Sequence, residues 1–211
     1  MIAQRPVLIV VAGPNGSGKT SLTVKVLLHK WIEGCTYINP DNIARDVYGD
    51  WNSQDAVIAA AKYAEAERER CLRLREDMAF ESVLSATDKI DFIKRAKGEG
   101  YFVRLFFVGT DHPSINAARV AQRVMEGGHD VPIPKIISRY SKSIANCAAA
   151  AAFADRAYIY DNSADGEEPK LLFRTVEGKI IKVYEAIHDW AQMIVETLPH
   201  GCEPSRDDDH E

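Results

Sequence analysis

Six apolar residues, Val7 to Ala12, run without a polar break into Gly13. A short β-branched run of this kind predicts a strand buried on both faces, as in the interior of a parallel sheet. Further strands are predicted at residues 36–39, 78–81, 101–109 and 156–161, with helical periodicity between them. The segment 54–76 is the longest helix candidate, with Val57, Ala61, Ala64, Arg68, Cys71 and Leu72 at helical spacing. Arg68 interrupts that stripe, and Glu69 and Arg73, four apart, are expected to pair on a solvated face. On a helix over 114–126, Asn116, Arg119 and Arg123 share a polar face, while Ile115, Ala118, Ala121 and Met125 hold the apolar one. A following helix begins at Pro134 and sets Lys135, Arg139, Lys142 and Asn146 opposite Ile137, Tyr140, Ile144 and Cys147. Near the end, runs at 171–176 and 179–184 flank Glu177-Gly178, a two-residue hairpin turn, and a helix over 186–198 follows. Strands alternating with helices imply an α/β fold: a mostly parallel central sheet flanked by helices, with a helical lid and a small C-terminal hairpin plus helix.

Composition adds bounds. With 211 residues, 46% of them hydrophobic, the chain suits one globular domain. The expected division is a single domain over 1–200, residues 113–145 forming a basic helical lid, and an acidic, disordered tail over 201–211. The formal charge of -5 argues against holding nucleic acid through its phosphates. The tail carries much of it, with five acids against one base between Glu203 and Glu211. No apolar run approaches the ~20 residues of a bilayer span, and residues 1–6 lack a signal-peptide pattern, so no membrane association and a cytoplasmic location are expected. Cys35, Cys71, Cys147 and Cys202 form no ligand cluster and read as inert, mostly buried thiols.

The chemistry starts at Gly13-Pro14-Asn15-Gly16-Ser17-Gly18-Lys19-Thr20, which satisfies GxxxxGK[ST] at every fixed position between a strand and a helix. In such a P-loop, backbone N–H groups converge on phosphate oxygens, the lysine reaches the β and γ phosphates, and the threonine hydroxyl meets Mg²⁺. Residues Gly13 to Ser21 are therefore the candidate nucleotide site, Thr20 the candidate Mg²⁺ ligand, and ATP or GTP the expected co-substrate. The run 101–108 ends in Gly109-Thr110-Asp111, out of place for a motor ATPase, and neither an Asn-Lys-x-Asp motif nor a Ser-Gly-Gly signature is clear. That leaves the small-molecule kinases, whose task is to position an acceptor hydroxyl.

Two carboxylates are placed for that task. Asp41 follows the second strand and projects from the same sheet edge as the P-loop, where it reads either as an acceptor-side base or Mg²⁺ contact, or as a helix N-cap. Glu81 ends the third strand and reads as an acceptor ligand or a plain strand-end carboxylate. Between Pro113 and Ala145 there are five bases against two acids, and the paired basic helices read either as a lid over the transferring phosphate or as solvated faces.

Taken together, GPNGSGKTS, INPDNIA, FESVLS, GYFVRLFFVG, RVAQRVMEGGHDVP, ISRYSKSIANC and YDNS make residues 7–163 resemble the zeta toxin family of P-loop kinases. The resemblance implies ATP-dependent phosphorylation of a sugar hydroxyl on a UDP-activated amino sugar, typically UDP-N-acetylglucosamine, by the toxin of a toxin–antitoxin pair, with an antitoxin protein as partner. It implies Asp41 as base, Glu81 with Ser82 at the acceptor, and Arg123 with Arg119 on the transferring phosphate beside Lys19. Where better-known members place an arginine before Thr-Pro, this chain reads Gly128-His129-Asp130-Val131-Pro132, so His129 or Arg139 takes the second phosphate position. Two other functions fit the same motifs: a kinase of another small hydroxyl acceptor, such as an antibiotic, nucleoside or dinucleotide, and a nucleotide-regulated binding module without transfer.

Overall fold

A computed structural model describes residues 5–27, 34–49, 53–128 and 130–202. His129 and the tail from 203 onward, both singled out above, lie outside the described residues, as does the predicted end of the first helix at His29.

Strands β1 (Val7–Ala12), β2 (Thr36–Ile38), β3 (Met78–Ser82), β4 (Phe102–Gly109), β5 (Arg156–Asp161), β6 (Lys170–Val176) and β7 (Lys179–Val183) form one sheet in the order β2-β3-β1-β4-β5-β6-β7. The first five are parallel, and β6 and β7 add an antiparallel edge. Both faces of β1 are covered, as its unbroken apolar run requires. Leu8, Val10 and Ala12 join the larger core, and Ile9 and Val11 pack with Leu22 on the opposite face. Because β1 to β5 run the same way, their C-terminal ends open on one edge of the sheet, where an α/β fold builds its ligand crevice.

The helices are α1 (Lys19–Leu27), α2 (Pro40–Asp46), α3 (Gln54–Leu74), α4 (Asp88–Gly98), α5 (Pro113–Met125), α6 (Ile133–Ala151) and α7 (Asp189–Thr197). Asn39, not Asp41, caps α2: its side chain accepts from the Asp41 and Asn42 amides, and Pro40 takes the first helical position. Asp41 thus stands one residue inside the helix with its carboxylate exposed and free of capping. Glu177 (φ 49°) and Gly178 (φ 72°) both occupy the left-handed region, as a type I′ hairpin turn demands. Helix α7 starts three residues later than the periodicity predicted, and its Trp190 lies flat where a Cβ on Gly109 would be, donating Nε1–H to Asp161 Oδ1 at 2.9 Å.

Three expected helix faces are corrected. In α5 the polar edge points inward: Asn116 is fully buried beside Val120, while Ala118 and Ala121 are exposed and Met125 is 82% exposed. Asn116 can be buried because partners satisfy it, and Val120 meets Val131 and Ile136 between α5 and α6. In α6, Ile136 takes the buried place expected of Ile137, which is 52% exposed. In α3 the buried stripe is Ala56, Ala60, Ala64, Arg68 and Cys71, one position off the expected Val57 and Ala61. Glu69 pairs with Arg95 of α4 instead of Arg73. Cys71 and Cys147 are buried thiols, Cys35 is half-buried and Cys202 exposed, and none of the four forms a disulfide among the described residues. Among the described residues no helix is long and apolar enough to cross a membrane.

Candidate active site

The loop from Gly13 to Lys19 is held by two asparagines, one from each neighbouring connection. Asn116 of α5 donates from Nδ2 to Asn15 O at 2.7 Å and accepts from the Thr110 hydroxyl. Asn162, just past β5, donates from Nδ2 to Ser17 O at 2.8 Å. Glycine is required beside both. A Cβ on Gly16 (φ +75°) would stand 2.4 Å from Asn116 O, and one on Gly18 (φ +93°) 2.2 Å from Asn162 Nδ2. At the mouth of the loop, Lys19 Nζ donates to Gly13 O and Pro14 O, both at 2.9 Å. Burial lowers its pKa to about 8, against the opposing pull of Glu81 and Asp41, with Arg123 and Arg139 adding to the lowering.

A cavity of about 820 Å³ opens from this loop, large enough for a nucleotide together with a second small molecule. Its lining includes Asn15, Gly16, Gly18, Lys19 and Thr20 from the loop, Asp41, Glu81 and Ser82 from the neighbouring strand ends, and Arg119, Arg123 and Arg139 from α5 and α6. Seven basic side chains line it against three acidic ones, a field suited to a polyanion. Within the loop Gly13, Pro14 and Ser17 are buried, and Ser21 is exposed on α1 outside the cavity lining. The exposed Thr20 hydroxyl and the Asp41 carboxylate are hard oxygen donors on one cavity, a set that fits Mg²⁺.

The arginines differ in how they are held. Arg119 donates to Asn162 O at 2.7 Å and Ala164 O at 3.1 Å, which ties α5 to the segment after β5. Arg139 reaches Asn15 Oδ1 at 3.4 Å. Gly128 at the end of α5 leaves room for the Arg123 chain, since a Cβ there would stand 2.6 Å from Arg123 Cγ.

Asp41 and Glu81 are joined by a relay that sequence reasoning missed. Tyr37 Oη donates to Glu81 Oε1 at 2.7 Å, Asn39 Nδ2 donates to Tyr37 Oη at 3.0 Å, and Asn39 Oδ1 accepts from the Asp41 amide at 2.9 Å. Burial, with Glu81 adjacent, pushes the Tyr37 phenol well above its ordinary pKa, so it stays a donor. The sequence signal for this relay was alternation: Tyr37 of β2 and Asn39, the extended residue between β2 and α2, are two positions apart. Asn162 stood in the YDNS segment and Asn116 on the polar face of α5, but neither carried a cue that it supports the loop.

Residues 2–167 match the family described as Zeta toxin. An uncharacterized protein of Haemophilus influenzae is 30% identical over 138 residues, covering 63% of this chain and 91% of that protein. Among solved structures, one from the PezAT chromosomal toxin–antitoxin system of Streptococcus pneumoniae superposes with TM-score 0.61 at 15% identity over 97% of this chain and 82% of its own. The AvrRxo1-ORF1:-ORF2 complex with ATP gives TM-score 0.67 at 20% identity, over 94% of this chain and 64% of that one.

Proposed function

This chain belongs to the zeta toxin family, a small-molecule phosphotransferase on a P-loop kinase fold, and from that premise we propose that it transfers the γ-phosphate of ATP to a sugar hydroxyl of a UDP-activated amino sugar of the UDP-N-acetylglucosamine type. The observation that carries this reading is the single cavity in which the P-loop, the Asp41–Glu81 pair and the lid arginines meet.

Lys19 and the loop amides hold the β and γ phosphates, and the two asparagine supports keep those amides in place before the nucleotide arrives. Thr20, with Asp41 nearby, would hold Mg²⁺, which when bound offsets charge on the phosphate oxygens. Glu81 accepts from hydroxyls of the acceptor sugar, and Ser82 lines the wall beside it. Asp41 accepts the proton of the attacking hydroxyl as the bond to phosphorus forms. Arg119, Arg123 and Arg139 surround the transferring group with positive charge, with Arg139 in the second phosphate position.

The chain then acts as one kinase domain over 1–200 with residues 113–145 as its lid, and as the toxin of a toxin–antitoxin pair whose antitoxin covers the cavity mouth. The solved relative from a toxin–antitoxin system supports that assignment. The test is label transfer from γ-labelled ATP to a panel of nucleotide sugars, nucleosides and aminoglycosides. UDP-N-acetylglucosamine is expected to take the label, Asp41→Asn to slow the reaction ~10²–10⁴-fold, and Lys19→Ala to relieve toxicity on expression. Label on a different acceptor replaces the substrate, and an undiminished Asp41→Asn rate removes the base.

A further inference from the structure

Three of the cavity's seven cations, Arg68, Lys89 and Lys135, are left out of this chemistry, and of these Arg68 is the buried one. Arg68 lies midway along α3, in a stripe otherwise made of Ala56, Ala60, Ala64 and Cys71, and is only 4% exposed. Burying a guanidinium costs heavily unless an anion pairs with it. Arg68 makes no hydrogen bond or ion pair among the described residues. Its contacts are ring faces: Cζ lies 5.3 Å from the centroid of Phe80 and 5.9 Å from that of Phe92. The carboxylates whose fields reach it are Glu65, Asp88 and Glu69. Glu69 is committed to Arg95 and Asp88 to Lys89, and Glu65, one turn before Arg68, is exposed and makes no ion pair with it.

The position gives the charge a use. Phe80 immediately precedes Glu81, so Arg68 rests on the residue next to the proposed acceptor ligand. Arg68 and Lys89 reach the cavity from α3 and α4, which flank β3 in the chain, whereas Arg119 is anchored beyond β5, on the other side of β1 in the sheet. The cavity therefore takes cations from α3 and α4 as well as from α5 and α6.

We propose that Arg68 forms an anion subsite for the acceptor, taking a phosphate or pyrophosphate group carried away from the hydroxyl that receives the γ-phosphate. This rests on the kinase reading for the orientation of the acceptor. It makes Arg68 a specificity residue that favours phosphorylated acceptors over neutral ones, with the aromatic faces of Phe80 and Phe92 holding the guanidinium plane.

The test separates binding from transfer. The protein is saturated with a non-hydrolysable ATP analogue to fill the P-loop, and binding of UDP and of inorganic pyrophosphate is measured by calorimetry for the wild type, Arg68→Met and Arg68→Lys. Arg68→Met keeps the apolar stem and removes the buried charge, so its Tm should not fall, while affinity for both probes should drop ~10–100-fold, with Arg68→Lys between. Equal affinity in wild type and Arg68→Met, or no binding to the loaded wild type, overturns the subsite. Should Arg68→Met lose its fold, the Arg68→Lys comparison decides alone: affinity equal to wild type overturns the proposal. Arg68-dependent binding without label transfer to any nucleotide sugar keeps the subsite and removes the acceptor reading. Transfer to UDP-N-acetylglucosamine with an unchanged KM in Arg68→Met does the reverse.

Discussion

The two halves of the cavity are built on different principles. On the nucleotide side, supports grip the backbone: Asn116 and Asn162 bond carbonyls of the loop, and glycines admit them to within contact distance. On the acceptor side, support runs from side chain to side chain, from Glu81 through Tyr37 and Asn39 to the start of α2, and ends at an exposed Asp41. A backbone grip leaves no room for a side chain at the glycines beside it but makes no demand on what else the chain binds. A side-chain relay can be retuned one residue at a time. The difference teaches that the phosphate half is held through its backbone, whereas on the proposed function the acceptor half is the one that side-chain changes would retune.

The strongest way to break this contrast is Gly16→Ala. The added methyl would enter the space of the Asn116 carbonyl from a left-handed backbone, and the shift needed to relieve it displaces Asn15, whose carbonyl Asn116 holds. The strain alone costs about 1–3 kcal/mol. ATP affinity, measured by calorimetry, is expected to fall ~100-fold or more, with a lowered Tm. A normal affinity would show that the loop does not depend on the α5 contact, and the two halves would lose their distinction.

The same contrast governs what could be read from sequence. Local backbone rules suffice for the nucleotide half. The run from Val7 to Ala12 is β1 to the residue, β5 also has its predicted bounds, and GPNGSGKT bridges strand and helix as its spacing demands. Periodicity failed where a polar residue is buried by partners that lie far away in the chain. Asn116 looked like a solvent-facing residue because Asn15 is a hundred positions away, and α5 was turned over as a result. Arg68 broke an apolar stripe for the opposite reason, since it sits on aromatic rings at a cavity wall that no local pattern reveals. Asp41 read equally well as an N-cap until Asn39 was seen to take that role. Sequence pattern reports burial, and at Asn116 and Arg68 burial and polarity are uncoupled by tertiary packing.

A smaller perturbation tests the acceptor half by itself. Tyr37→Phe removes the hydroxyl that links Glu81 to Asn39 while keeping the ring. Losing a single such hydrogen bond is worth ~0.5–1.5 kcal/mol, so KM for the acceptor should rise ~3–10-fold. KM for ATP should stay unchanged, because among the described residues the Tyr37 hydroxyl has no hydrogen bond to residues 13–19. Parallel rises in both constants would mean that the two halves are mechanically one.

The mildest test uses pH, and Lys19 is the group that both halves feel. Its folded pKa of about 8 lies below its ordinary value of 10.5, so between these limits the unfolded chain binds more protons than the folded one. Stability of the nucleotide-free protein should therefore rise as pH climbs from 8 toward 10.5, since burying a neutral amine costs less than burying a charged one. Nucleotide affinity should move the other way, because phosphates favour the ammonium and binding must restore the missing proton. At pH 8, calorimetry in buffers of different ionisation enthalpy should report uptake of about half a proton, and affinity should fall about fourfold between pH 7 and 8.5. Lys19→Met should abolish the uptake. The opposite slopes matter more than their size: Glu81 and Asp41 hold the Lys19 pKa up while burial pulls it down, so Glu81→Gln should move the midpoint of both curves to lower pH. If it moves neither, the acceptor carboxylates do not act on the nucleotide site, and the halves are coupled only through a bound acceptor.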